Sequence, residues 1–175
     1  MTPGPAGAPV TLRPAGPADA PALLSVHARA IRALAATHYT ADQRDAWIAR
    51  MSVDRLREAM LARVLIVAEA ATPGGPRIVG YGQLHPVEGA IEAIYVDPDW
   101  TRRGVGRVLF EALEARARAL GLPGLVLDAS LNSVPFYGAM GFRRKGVDRH
   151  EPAPGVHFAC VVMEKRLAPA ARERQ

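Results

Sequence analysis

Cysteine is almost missing from this chain: of 175 residues only Cys160 is one, which excludes an internal disulfide and any cysteine-based metal cluster. Its neighbours Phe158, Val161 and Val162 are apolar, so it reads as a buried core residue rather than a nucleophile. No run of about 18 apolar residues occurs, so no membrane-spanning helix is expected. The segment Met1 to Pro9 lacks a basic stretch followed by an apolar one, so no secretory signal is expected and the expected location is the cytoplasm. Lysine is scarce as well. Of 22 basic residues only Lys145 and Lys165 are lysine, and the arginines are scattered apart from Arg102, Arg103 and Arg107. The net charge of +5 therefore suits an anionic ligand held at one place better than a long polyanion, and no nucleic-acid partner is expected.

What is present is ample apolar material. Hydrophobic residues make up 49% and charged ones 22%, enough to build a core and to exclude global disorder. The length fits one domain, expected over residues 10–167, with frayed Pro-, Gly- and Ala-rich or charged tails at 1–9 and 168–175.

Val10 to Arg13 reads as a short strand. Asp19 is a candidate N-cap for a helix with Pro21 in its first turn and Leu23, Val26, Ala30 and Ile31 at helical spacing. Thr40 and Gln43 form a T-x-x-Q capping box that opens a helix carrying Trp47, Ile48 and Met51, and another helix is expected over Val53 to Leu61. Val64 to Ala70 and Arg77 to His85 read as strands joined by a rather long turn, Thr72 to Pro76. Ala90 to Val96 is a strand ended by Asp97-Pro98-Asp99. A helix follows the glycine turn Arg102 to Gly106 and closes at Gly121, and Leu125 to Ala129 is a strand again. That strand–helix–strand order calls for a right-handed crossover and a parallel or splayed pair. A short helix over Ser133 to Met140 and two strands, Phe142 to Arg149 and Val156 to Leu167, complete an α/β to α+β order with one mixed sheet covered by helices.

Two segments carry chemistry. In the first, from Val96 to Leu109, a strand runs at once into glycines and a helix N-terminus. The free N–H groups and dipole of a first helical turn favour an anion. Gly104 and Gly106 let a phosphate approach the backbone, and Arg102, Arg103 and Arg107 can add charge-assisted hydrogen bonds. It lacks the third glycine of a dinucleotide fingerprint and the Gly-Lys-Ser/Thr of a Walker loop, so neither applies. The bland alternative is that these glycines only tighten a turn. The second segment, Leu127 to Phe142, contains Asn132-Ser133-Val134-Pro135-Phe136-Tyr137 and ends at Gly141-Phe142.

Together, at this separation, the two segments resemble the GNAT superfamily of acyl-CoA-dependent N-acetyltransferases, over roughly Glu92 to Phe142. Two positions depart from the family pattern: Thr101 stands where Gln or Arg is usual, and Pro135 replaces the usual spacing residue. The resemblance implies a mixed, mostly antiparallel sheet with a splayed parallel strand pair flanked by helices. It implies acetyl-CoA in the splay as co-substrate, with no metal, and direct transfer in a ternary complex to the primary amine of a small molecule or a protein N-terminus. The backbone of Ile94, Tyr95 and Val96 would pair with the pantetheine arm, and the amides from Arg102 through Arg103, Gly104, Val105 and Gly106 to Arg107 would hold the pyrophosphate. Asn132 would hydrogen-bond the pantetheine or adenosine side, and Phe136 would pack on it. Tyr137 matches the family's general acid; the bland alternative is a core aromatic.

For the base, period-2 alternation puts Glu92 on the face of Val96, where a carboxylate could reach an acceptor amine directly or through water; the alternative is a sheet salt bridge. His85, at a strand end, is a further acceptor-side candidate whose alternative is structural. By resemblance the acceptor is chosen by the first helices and last hairpin, which brings in His38, Tyr39, Gln43 and Trp47. Trp47 is also a natural core anchor. Pairing of two copies through the final strands is expected by the same resemblance. A different class of function, a non-catalytic acyl-CoA sensor on the same fold, is separated from an enzyme by turnover over a panel of amines.

Overall fold

The computed structural model describes residues 9–168, so the tails expected at 1–9 and 168–175 lie outside it except for Pro9 and Ala168. Strand β1 (Val10–Pro14) leads through a short 3-10 turn, Pro17–Asp19, into helix α1 (Ala20–Leu34). Two shorter helices, α2 (Ala41–Ala49) and α3 (Val53–Ala62), precede strands β2 (Val64–Thr72), β3 (Gly75–Leu84) and β4 (Ile91–Val96). Helix α4 (Val105–Ala119), strand β5 (Gly124–Ser130), helix α5 (Val134–Ala139) and strands β6 (Arg143–Ala153) and β7 (Val156–Arg166) follow. No helix among the described residues is long and apolar enough to cross a membrane.

The T-x-x-Q signal is realised in full. Thr40 Oγ1 accepts the Gln43 N–H at 3.3 Å, and Gln43 Oε1 accepts the Thr40 N–H at 2.9 Å. Asp19 precedes α1 as expected but does not cap it. Its carboxylate takes two bonds from the Arg13 guanidinium and one from the Gly16 N–H, so stronger charge-assisted partners divert it. The turn after β2 is tighter than its five-residue signal: Thr72 pairs with Gly75, leaving Pro73 and Gly74 at the tip.

The strands form two antiparallel sheets, in order β1-β2-β3-β4 and β5-β7-β6, rather than one mixed sheet. Helices α1 and α3 cover one face of the first sheet, burying Leu23, Val26 and Leu56 against Val67, Tyr81 and Ala93. Helix α4 covers the other. Leu109 and Leu113 are fully buried there, each contributing roughly 1.5–3 kcal/mol of transfer free energy. The α4 core continues under the second sheet through Phe110, Leu127, Tyr137, Phe142 and Met163.

Where the sheets meet decides the rest. The expected parallel pair is reduced to one bridge, Ala90 to Val126, with the Val126 N–H donating to Gly89 O at 3.0 Å. Gly89 permits it. Its φ is +68°, and a Cβ there would stand 2.6 Å from the Gly124 carbonyl oxygen. Immediately beyond, β4 is bulged against β3: Gln83 pairs with Ala93 while Leu84 pairs with Ile91, leaving Glu92 extra. A bulge bends and twists its strand, and past it no ladder joins β4 to β5 among the described residues.

Two expectations follow. Gly89→Ala should lower unfolding stability by on the order of 2 kcal/mol, through positive-φ strain and the backbone clash, with chemical denaturation as the measurement. His27, on α1 and buried, has one ring nitrogen without a partner and only a long 3.5 Å contact from the other to the Tyr81 hydroxyl. Burial pushes its pKa down to about 4. The unfolded chain therefore binds a proton there that the folded chain does not, between pH ~6.5 and ~4. Stability should be full above that window and fall through it on acidification, and His27→Gln should flatten the fall; an unchanged slope would show that another group sets it.

Candidate active site

The divergence of β4 and β5 opens a cleft of about 800 Å³ between two strand edges, with the first turn of α4 at one end. Asp97 fixes the exit of β4. Its carboxylate is 1% exposed and accepts bonds from Arg29 of α1 at 3.2 Å, Arg77 of β3 at 2.7 Å and the Asp99 N–H at 3.0 Å. A buried carboxylate needs such partners, and these three come from separate elements, so they pin the loop to the sheet.

Beyond the clamp, Arg102 has φ +62°, the one non-glycine residue with positive φ among those described, and Gly104 has φ +82°. Alternation of left- and right-handed backbone turns successive N–H groups to one side, a common form of anion cradle. Val105, Gly106 and Arg107 lead the helix, so their N–H groups have no intrahelical acceptor. No acidic residue occupies that first turn. Phe136 of α5 lies over Gly106, where a Cβ would meet its ring at 3.3 Å; a larger residue would push the ring and narrow the cleft.

The side walls come from β4 and β5. Ile94, Tyr95 and Val96 line one, Ser130 and Asn132 the other, and Phe136 and Tyr137 of α5 close the floor. Asn132 Oδ1 is buried and has no hydrogen-bond partner, an open acceptor on the cleft wall. Tyr137 is 7% exposed, with Phe136 and Phe142 packed edge-on at ring distances of 5.0 and 5.6 Å. Burial, and then the neighbouring Tyr95, raises its hydroxyl pKa well above the usual phenol range, so it keeps its proton at neutral pH.

The other candidates divide. Arg102 and Arg107 line the cleft, whereas the Arg103 guanidinium sits over the ring of Trp100, itself a cleft residue, at 4.8 Å. Trp47 lines the cleft beside Tyr95. Tyr39 does not. Its hydroxyl donates to Ala159 O and accepts from the Leu131 N–H, each at 2.8 Å, joining the α1–α2 turn to the second sheet. His85 also lies outside. Its Nδ1 accepts the Val87 and Glu88 N–H groups within the β3–β4 turn. Glu92 lines the cleft but not on the face that alternation assigns: the bulge turns its carboxylate toward Gln83, on the side of Tyr81, where it accepts from Gln83 at 2.5 Å and Arg63 at 2.8 Å. Asp128 and Ser130 are cleft residues that sequence reasoning passed over; their alternation with the buried Leu127 and Ala129 is the signal that marks them.

Residues 35–167 match the family model described as an acetyltransferase (GNAT) domain. The uncharacterized N-acetyltransferase YafP of Escherichia coli is 30% identical over 135 residues, covering 77% of this chain and 81% of the relative. The crystal structure of a GCN5-related N-acetyltransferase from Rhodopseudomonas palustris superposes with a TM-score of 0.81 at 30% identity, over 90% of this chain and 96% of that one. PaiA N-acetyltransferase from Thermoplasma acidophilum, solved with coenzyme A, shares the fold with a TM-score of 0.76 at 20% identity, over 91% and 99% of the two chains. With the family model spanning most of its length, the chain belongs to the GNAT family of acetyltransferases.

Proposed function

We propose that the chain transfers the acetyl group of acetyl-CoA to a primary amine, of a small molecule or a protein N-terminus, by direct attack in a ternary complex. One observation carries this reading: the cleft between the unpaired edges of β4 and β5 has an anion-binding helix start at one end and a protonated, buried phenol in its wall. The residues fit the co-substrate. Asn132 Oδ1 is a buried acceptor suited to an amide N–H of the pantetheine arm, and the amides of Val105 to Arg107 suit the pyrophosphate. Bound acetyl-CoA supplies a thioester whose acyl carbon is the electrophile.

The chain's own groups do the remainder. The free edge of β4 at Ile94 to Val96 aligns the arm as an added strand and offers N–H groups to the carbonyl. Arg102 and Arg107 add charge at the pyrophosphate end, in the place that Thr101 leaves without a long side chain. Tyr137 donates its hydroxyl proton to the departing sulfur. Trp47 and Tyr95 give the acceptor end an aromatic wall, and Glu92, held by Arg63 and Gln83, is an acceptor-side carboxylate in reach of a water. The exposed β6 edge of the second sheet supports pairing of two copies there.

Turnover of acetyl-CoA over a panel of primary amines tests the reading. Tyr137→Phe should lower kcat by about 100-fold or more while calorimetric affinity for coenzyme A stays within about twofold. Unchanged kcat would remove Tyr137 as the acid, and absence of turnover and of coenzyme A binding would remove the function.

A further inference from the structure

Two carboxylates line the cleft, and they are bound differently. Glu92 is tied to an arginine and a glutamine. Asp128, on β5, has His150 as its one polar side-chain partner among the described residues: His150 Nε2 lies 3.1 Å from Asp128 Oδ2, across strand β7. The register puts the two on one face. Asp128 stands opposite Val162 and His150 opposite Phe158, so both project from the face of the second sheet that turns away from the α4 core. The His150 ring lies 5.6 Å from the Phe158 ring, and Phe158 stacks at 5.2 Å on Trp47, which itself lines the cleft. Cleft, carboxylate, imidazole and aromatic wall are thus continuous.

Two other titratable groups face the pair. Asp148 on β6 pairs with Cys160 on β7, and the Cys160 sulfur lies within 4.8 Å of the Asp128 and His150 ligand atoms. Burial, with Asp128 and Asp148 nearby, pushes the Cys160 thiol up to about 11. It is thus a protonated thiol behind the pair rather than a nucleophile.

We propose that Asp128 is the acceptor-side catalytic residue, with His150 as its positioning residue. Asp128 receives a primary ammonium whose apolar, aromatic-compatible portion lies on Trp47, and relays its proton through His150. This rests on the acetyl-transfer reading above. A carboxylate whose partner is an imidazole can take a proton from an ammonium and hand it on, whereas Glu92 Oε2 is already held by two donors, Arg63 and Gln83. In the step, the N–C bond forms and the C–S bond breaks. The sulfur takes the Tyr137 proton, and of the two protons the ammonium nitrogen gives up, one restores Tyr137 and the other leaves through Asp128 and His150 to solvent. The second carboxylate, Glu92, keeps its partners throughout.

The test uses acetyl-CoA with two acceptors, 2-phenylethylamine, which is an ammonium at pH 7, and phenylhydrazine, which is already neutral. Asp128→Asn should lower kcat/KM for 2-phenylethylamine by about 100-fold or more, and for phenylhydrazine by about 10-fold or less. His150→Gln should show the same ordering with smaller losses, and the double variant should lose no more than Asp128→Asn alone. Coenzyme A affinity should stay within about twofold in all three. Equal losses for both acceptors, or none, overturn the assignment while leaving the transfer reading intact. So does failure to acetylate either acceptor by a protein that binds coenzyme A, and so does activity that requires zinc and vanishes with EDTA, which would make Asp128, His150 and Cys160 metal ligands. Absence of coenzyme A binding in the unsubstituted protein sinks the transfer reading instead.

Discussion

Among the described residues the two sheets are joined by a single parallel bridge at Ala90, and everything functional depends on what happens two residues later. Had the β4–β5 ladder continued, each edge would have satisfied the other and the molecule would have been closed. The bulge at Glu92 turns β4 aside, Gly89 lets the sheets approach at the pivot, and Asp97 with Arg29 and Arg77 fixes the far end of the strand. Two strand edges are left unpaired inside the molecule, and unpaired edges are templates for an extended ligand.

The cleft is electrically asymmetric. At the α4 end stand helix amides, two arginines and no acidic residue of the first turn, an arrangement for an anion. Elsewhere along the cleft stand the Asp128 carboxylate of β5 and the rings of Trp47 and Tyr95, which in the proposed reaction would take a cation with an apolar body. Tyr137 lies between, its hydroxyl kept protonated by burial. In the proposed reaction this asymmetry would sort acyl donor from acceptor by charge.

Much of this was legible in the chain itself. Gly104 and Gly106 after a strand, and Asn132 to Tyr137 after the next, place the α4 start and the short helix α5 beside the cleft because their meaning is local: a turn, a helix start, a short helix. The capping box at Thr40 and Gln43 is local too, and it forms as written. Failures came where a partner from outside the local turn or helix intervened. Asp19 is taken by Arg13, Tyr39 by the backbone of Leu131 and Ala159, and Glu92 leaves its alternation because a bulge shifts register against Gln83. The Asp128–His150 contact spans 22 positions and requires β7 to lie between β5 and β6, a strand order that no periodicity reveals.

The central claim, that a thioester carrier is held between the free strand edges with its pyrophosphate on the α4 amides, is met most directly by backbone amide NMR during titration with coenzyme A. The N–H signals of Gly104 to Arg107 should move downfield most strongly, with Ile94 to Val96 next, while the β1–β2 amides stay still. Saturable binding that leaves the Gly104 to Arg107 amides unmoved would contradict the account.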